Sequence, residues 1–212
     1  LPVSDLTALV VDFGGVLTTS MRESFAQFVR SEDVDGEHLQ KVLFTDYDGG
    51  GIVHGVETGA VTMEEFEREL AAKIRTKSGS AIEATGLVQR MFAGAHVDTR
   101  MVNAVRRART SGIKTALLSN SWGNRDSYRF EHFDTLFDAV VISGEVGIRK
   151  PDPEIYALAA RELETPAGQC VFVDDIPANV RGAVAAGMVG VHHTETGTTL
   201  HELTTLLGVE LG

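Results

Sequence analysis

Four short polar clusters punctuate this chain in a fixed order: Val10-Val11-Asp12-Phe13-Gly14-Gly15-Val16-Leu17-Thr18, Leu117-Leu118-Ser119-Asn120-Ser121, Arg149-Lys150-Pro151-Asp152-Pro153 and Val171-Phe172-Val173-Asp174-Asp175. They supply a carboxylate, a hydroxyl beside an amide, a cation and an acidic pair. Those are the parts that move a phosphoryl group through an aspartyl intermediate, in which a carboxylate attacks phosphorus and water later cleaves the mixed anhydride. Asp12 is the candidate nucleophile. Ser119 and Asn120 offer hydroxyl and N–H donors to phosphate oxygens, and Lys150 can neutralise charge as the group transfers. Asp175 suits a hard cation such as Mg²⁺, which is held by one or two carboxylates and substrate phosphate; Asp174 stands beside it or serves as a second ligand. Two adjacent acids at a strand end are costly to bury without a cation.

Each cluster alone also has a plain structural reading. Asp12 could cap a turn after a strand, Ser119 and Asn120 could form a strand-to-helix turn, and Asp174 and Asp175 could cap the helix containing Asn179. A lysine beside a Pro-Asp-Pro turn is usually solvated. The order of all four together is what makes the pattern specific.

The elements that must position these residues can be read from apolar spacing. Thr7 to Asp12 is a nearly continuous apolar run, as expected of a strand buried on both faces. After Asp98, a helix N-cap by type, strands over Ile113 to Leu118, Ala139 to Ile142, Cys170 to Val173 and Val189 to His192 alternate with helices starting near Asp152, Pro177 and Thr198. This alternation predicts an α/β parallel sheet. In such sheets ligands bind beyond the C-terminal strand ends, where three of the four clusters fall.

Between the first strand and the rest, from Ser20 to about Gly94, the spacing is helical. Ser20 with Glu23 and Thr62 with Glu65 are capping-box pairs, and Phe66, Leu70 and Ile74 recur at intervals of four. Residues 19–94 are therefore expected to form a separate, mostly helical cap inserted into a core of residues 1–18 and 95–212. Asp46-Tyr47-Asp48-Gly49-Gly50-Gly51-Ile52 is its expected flexible loop.

With 212 residues and 43% apolar content the chain can form an ordinary domain plus a smaller one. Its net charge of -11, with scattered basic residues, carries no footprint for nucleic acid. An anion site must then rest on local cations, backbone N–H groups or a metal. A single cysteine, Cys170, cannot form an internal disulfide and fits a core position in a reducing cytoplasm. No apolar run approaches the ~20 residues of a membrane helix, and no signal peptide is expected from Leu1-Pro2-Val3-Ser4-Asp5-Leu6. The lack of an initiating Met suggests a trimmed or incomplete start. His192 and His193 have no partners at zinc-ligand spacing.

From Leu9 to about Gly187 the chain resembles the haloacid-dehalogenase-like hydrolase superfamily. Asp12, Ser119, Lys150 and Asp174-Asp175 with Asn179 match its pattern of Asp-x-Asp-x-Thr/Val, Ser/Thr, Lys, and an acidic pair followed by a polar residue. The resemblance implies a Rossmann-like core, the smaller helical cap class, and a phosphatase acting on a small phosphorylated metabolite. It also implies Mg²⁺ held by Asp12, the Gly14 backbone carbonyl and Asp175.

Gly14 departs from the pattern, which places there an aspartate that protonates the leaving oxygen and then deprotonates water. General acid–base catalysis is worth about 10² to 10⁴-fold, roughly 3 to 5 kcal/mol. Three readings follow: a substrate with a good leaving group, such as an anomeric or acyl phosphate; an acid supplied by the cap, with Asp46, Asp48, His54 and Glu57 as candidates; or a phosphate- or Mg²⁺-binding module that has given up turnover. Dehalogenases of the superfamily also lack this acid, but the Asp174-Asp175 pair would repel an anionic substrate in a metal-free site. Trp122 and Arg125 could line the entrance and Phe13 could face the cap, although packing explains them as well. Substrate identity and oligomeric state are not legible.

Overall fold

The computed structural model describes residues 5–44, 51–123, 128 and 133–212. Strands β1 (Ala8–Val11), β2 (Lys114–Ser119), β3 (Ala139–Ile142), β4 (Cys170–Asp174) and β5 (Val189–His192) form one parallel sheet in the order β3-β2-β1-β4-β5. Every residue of β1 and β4 is buried, because helices cover both faces. Side chains alternate between those faces. Leu9, Val11, Val171 and Val173 pack with Met101 and Val105 of α6 (Thr99–Thr110) and Leu200 and Leu203 of α11 (Thr196–Leu207). Val10 and Phe172 pack on the other side with Ile155 and Tyr156 of α9 (Pro153–Glu162) and Ala183 of α10 (Pro177–Ala185).

The register brings the polar ends level. Val11 pairs with Leu117 on one side and Val173 on the other, and the Asp12 N–H continues the ladder to the Val173 carbonyl at 2.9 Å. Asp12, Ser119 and Asp174 therefore emerge together at the C-terminal edge. The strand order reverses between β1 and β4, which makes this edge the crevice where doubly wound sheets bind ligands.

Between β1 and α6 lie α1 (Met21–Ser31), α2 (Gly36–Phe44), α3 (Ile52–Glu57), α4 (Met63–Lys73) and α5 (Leu87–Met91). Thr62 and Glu65 form a reciprocal capping box, and Ser20 accepts from the Glu23 N–H. Phe66, Leu70 and Ile74 are fully buried in an apolar cluster of their own, joined from the sheet side by Trp122. The chain leaves and returns along paired segments: the Thr19 N–H donates to the His96 carbonyl and the Asp98 N–H to the Leu17 carbonyl, both at 2.8 Å.

Two short helices, α7 (Phe133–Leu136) and α8 (Ser143–Val146), were not expected. At four residues each they are too short for a periodicity to register. Strands β2 and β4 run one residue further than the apolar runs suggest, taking Ser119 and Asp174 as their last members. Asp46, Asp48 and Arg125 lie outside the described residues. Among the described residues no helix is long and apolar enough to cross a membrane.

Candidate active site

Lys150, in the loop between α8 and α9, is fully buried instead of solvated. Its Nζ lies 2.8 Å from Asp12 Oδ1 and 2.6 Å from Asp174 Oδ2, and donates to the Leu118 carbonyl at 2.9 Å. Burial alone would lower its pKa, but the two carboxylates outweigh this and hold it above the usual lysine range. Asn120 fixes the lysine from below. Its Nδ2 donates to the Lys150 carbonyl at 2.9 Å and its Oδ1 accepts the Lys150 N–H at 2.8 Å. The Asn120 side chain is thus committed to the lysine backbone, so any donor it offers to phosphate is its main-chain N–H.

Asp174, also fully buried, accepts from the Ile176 N–H at 2.8 Å and from Asn179 Nδ2 at 3.1 Å, in addition to Lys150. It anchors the lysine. Asp175 reaches the same site only because residue 15 is glycine. A Cβ there would overlap the Asp175 carboxylate, and Gly15 has φ +76°, in the left-handed region. Ligand atoms of Asp12, Asp174 and Asp175 lie within 4.8 Å of one another.

Three carboxylates face one lysine here. Burial, reinforced by the charges of Asp174 and Asp175 and opposed by Lys150, pushes Asp12 up to about 7. Asp175 rises to about 6, through burial first and the Asp174 charge second. A set of all-oxygen donors with surplus negative charge fits a hard divalent cation. Asn179 turns its Nδ2 to both Asp174 oxygens, at 3.1 Å, and its buried Oδ1 has no hydrogen-bond partner among the described residues.

Ser119 Oγ accepts a 2.8 Å hydrogen bond from the Tyr128 hydroxyl. Burial raises the Tyr128 pKa, so the phenol stays protonated and remains the donor, which leaves the Ser119 proton free to point elsewhere. Phe13 braces this tyrosine edge-on, with ring centroids 4.8 Å apart. Sequence reading passed over Tyr128. Its one signal was a phenol nine residues beyond Ser119, which no spacing rule singles out.

Gly14 is not required by the backbone. A Cβ there would meet nothing closer than Met21 Cγ, at 3.8 Å, and its φ is not in the left-handed region. Of the residues considered as substitutes, His54 is exposed. Glu57 is buried, with Oε1 accepting from Trp122 Nε1 and Oε2 paired with Arg149 Nε, both at 3.2 Å. Its carboxylate joins α3 to the segment before Lys150, and so is already engaged. Trp122 and Phe13 both line a cleft of about 820 Å³ that opens over Gly14 and Ser119.

Replacing Lys150 by Met should leave Asp12 and Asp174 as buried carboxylates without a counterion. The expected cost is about 3 to 5 kcal/mol of stability, read by denaturant unfolding in EDTA. Part of that loss should be recovered in the double variant Lys150→Met with Asp174→Asn, because the second change removes one of the stranded charges. Strictly additive losses would mean that the lysine and Asp174 do not act as a pair.

A family model described as haloacid dehalogenase-like hydrolase matches residues 6–187. The sesquiterpene phosphatase astK of Aspergillus oryzae is 32% identical over 154 residues, covering 72% of this chain and 77% of that protein. The phosphatase MT3486 of Mycobacterium tuberculosis is 32% identical over 196 residues, covering 86% and 85%. Among solved structures, a HAD family enzyme of Bacteroides thetaiotaomicron in complex with magnesium and inorganic phosphate has a TM-score of 0.68 at 18% identity, over 89% of this chain and 94% of that one. A dehalogenase has a TM-score of 0.68 at 19% identity, over 95% and 97%. At such identities the structural likeness speaks for the fold alone.

Proposed function

The chain belongs to the haloacid dehalogenase-like hydrolases, and within them we propose that it is a Mg²⁺-dependent phosphatase that cleaves a small phosphate monoester through Asp12. The observation that carries this reading is the meeting of Asp12, Lys150, Asp174 and Asp175 at one strand edge, with three carboxylate ligand atoms inside 4.8 Å. Phosphatases among its relatives support the same chemistry.

Lys150 holds Asp12 Oδ1, leaving the second carboxylate oxygen to attack phosphorus. Ser119, oriented by Tyr128, donates its proton to a phosphoryl oxygen. Asp174 keeps Lys150 charged and in place while negative charge shifts from the phosphoryl group to the leaving oxygen. That oxygen departs without a proton from position 14. Water then attacks the phosphorus of the acyl phosphate, releasing phosphate and restoring Asp12. Asp12, Asp175 and the Gly14 carbonyl would hold Mg²⁺, which when bound neutralises the phosphoryl oxygens. Residues 19–94 serve as the cap that covers the site and selects the substrate.

Gly14 favours a second reading, a pocket that binds phosphate and turns it over poorly. A dehalogenase is disfavoured, since three carboxylates would face an anionic halo-acid with a single lysine between them. An aryl phosphate with a good leaving group tests the main reading. Turnover should require Mg²⁺, fall to background in EDTA and return when Mg²⁺ is restored; undiminished turnover in EDTA would overturn it.

A further inference from the structure

We infer that the part of the substrate beyond its phosphate is an extended aliphatic chain, lodged in the cleft between the sheet edge and helices α1, α4 and α5. This rests on the phosphatase reading for where the phosphate sits. Gly14 and Ser119 line the cleft, so the phosphate end and the remainder form one continuous space of about 820 Å³, within the range of small-molecule sites.

Carbon dominates its wall. Phe13, Met21, Met63, Val88, Phe92 and Trp122 line it. The indole N–H of Trp122 is taken by Glu57, so this residue offers its ring, which packs edge-on against Phe66 and Phe92 and tilted against Phe25, with centroids 5.2 to 5.8 Å apart. Met21 and Met63 are unbranched and adapt to an irregular chain.

The charged side chains among the described lining residues are already spent. Glu67 accepts from the N–H groups of Gly86 and Val88 at 3.1 and 2.9 Å. Arg90 pairs with Glu32 at 2.5 Å and donates to the Thr85 carbonyl at 2.6 Å. Of the uncharged polar side chains, Thr18 and Ser24 donate to the Thr19 and Ser20 carbonyls and Thr19 accepts from the His96 N–H, which leaves the Gln89 amide as the main polar group of the wall. A sugar or polyol placed there would turn most of its hydroxyls toward carbon, and a buried hydroxyl without a partner is costly. An aliphatic chain has no such groups and gains from leaving water.

Trp122 is the only tryptophan in the chain, so intrinsic fluorescence reports on this cleft without a label. The probes are n-alkyl phosphonates from ethyl to dodecyl, below their micelle concentrations and with Mg²⁺ present. The Kd is expected to fall about fourfold per methylene until the cleft is filled. Glucose 1-phosphate should bind no better than ethyl phosphonate. Met63→Glu, which puts a charge into the wall at the first residue of α4, should flatten the series, and Met63→Leu should keep it.

A Kd independent of chain length, tighter binding of the sugar phosphate, or a series unchanged by Met63→Glu would each overturn the aliphatic-chain assignment. Aryl phosphate turnover would still stand in those cases. The converse result, chain-length dependence without any turnover, would keep the assignment and sink the phosphatase reading.

Discussion

Asp12→Asn is expected to abolish turnover of an aryl phosphate, by at least about 10⁴-fold in kcat, with the fold retained. An amide has almost the shape of a carboxylate but cannot attack phosphorus at a useful rate. Its oxygen can still accept from Lys150, whose Nζ lies 2.8 Å from Asp12 Oδ1, and Asp174 remains at 2.6 Å to hold that lysine. The loss should therefore be chemical and not structural, which circular dichroism on the same sample would check. Quenching the wild type during turnover and treating it with hydroxylamine should modify position 12 through its acyl phosphate, and the Asn variant should remain unmodified. Turnover above about 1% of wild type would mean that another group attacks phosphorus.

Gly14→Asp is expected to raise kcat/KM on an alkyl phosphate by about 10² to 10⁴-fold, the range assigned to one general acid–base group. The structure permits the substitution. The nearest atom to a Cβ at this position is Met21 Cγ at 3.8 Å, and the backbone is not left-handed. The cleft opens directly over this residue, so a carboxyl group there would face the leaving oxygen. An alkoxide needs a proton to depart far more than an aryl oxide does. The gain should accordingly be much smaller on p-nitrophenyl phosphate, and that difference separates acid catalysis from a general improvement of the site. An equal gain on both substrates would point to altered binding. No gain on the alkyl substrate would show that the proton already comes from elsewhere in the chain.

Several features were legible because the backbone dictates them locally. Strands of a helix-covered parallel sheet read as apolar runs, so all five were visible, even the half-buried edge strand Val189–His192, which like Ala139–Ile142 was located to the residue. The spacing of Phe66, Leu70 and Ile74 told of a helix with one buried face. Helices α7 and α8 were invisible because four residues hold barely one turn. Ser119 and Asp174 belong to their strands by hydrogen bonding, whereas a polar type at the end of an apolar run reads as the start of a turn.

What the sequence determined by itself was the α/β class, the family resemblance and which polar residues sit at strand ends, since strand periodicity and motif order are properties of neighbours along the chain. Tertiary structure decided the rest, because it depends on partners far apart in sequence. Lys150 is buried because Asp12 and Asp174, 138 residues before and 24 after it, both reach its Nζ. Gly15 is glycine because a carboxylate 160 residues later occupies the space of its Cβ. Glu57, a solvated helix residue by type, is buried by an indole 65 residues away and a guanidinium beyond it. Tyr128 matters only because its hydroxyl ends on Ser119. Hydrogen bonds and ion pairs act over a few ångströms of space, and sequence separation carries no record of which residues the fold will bring within that distance.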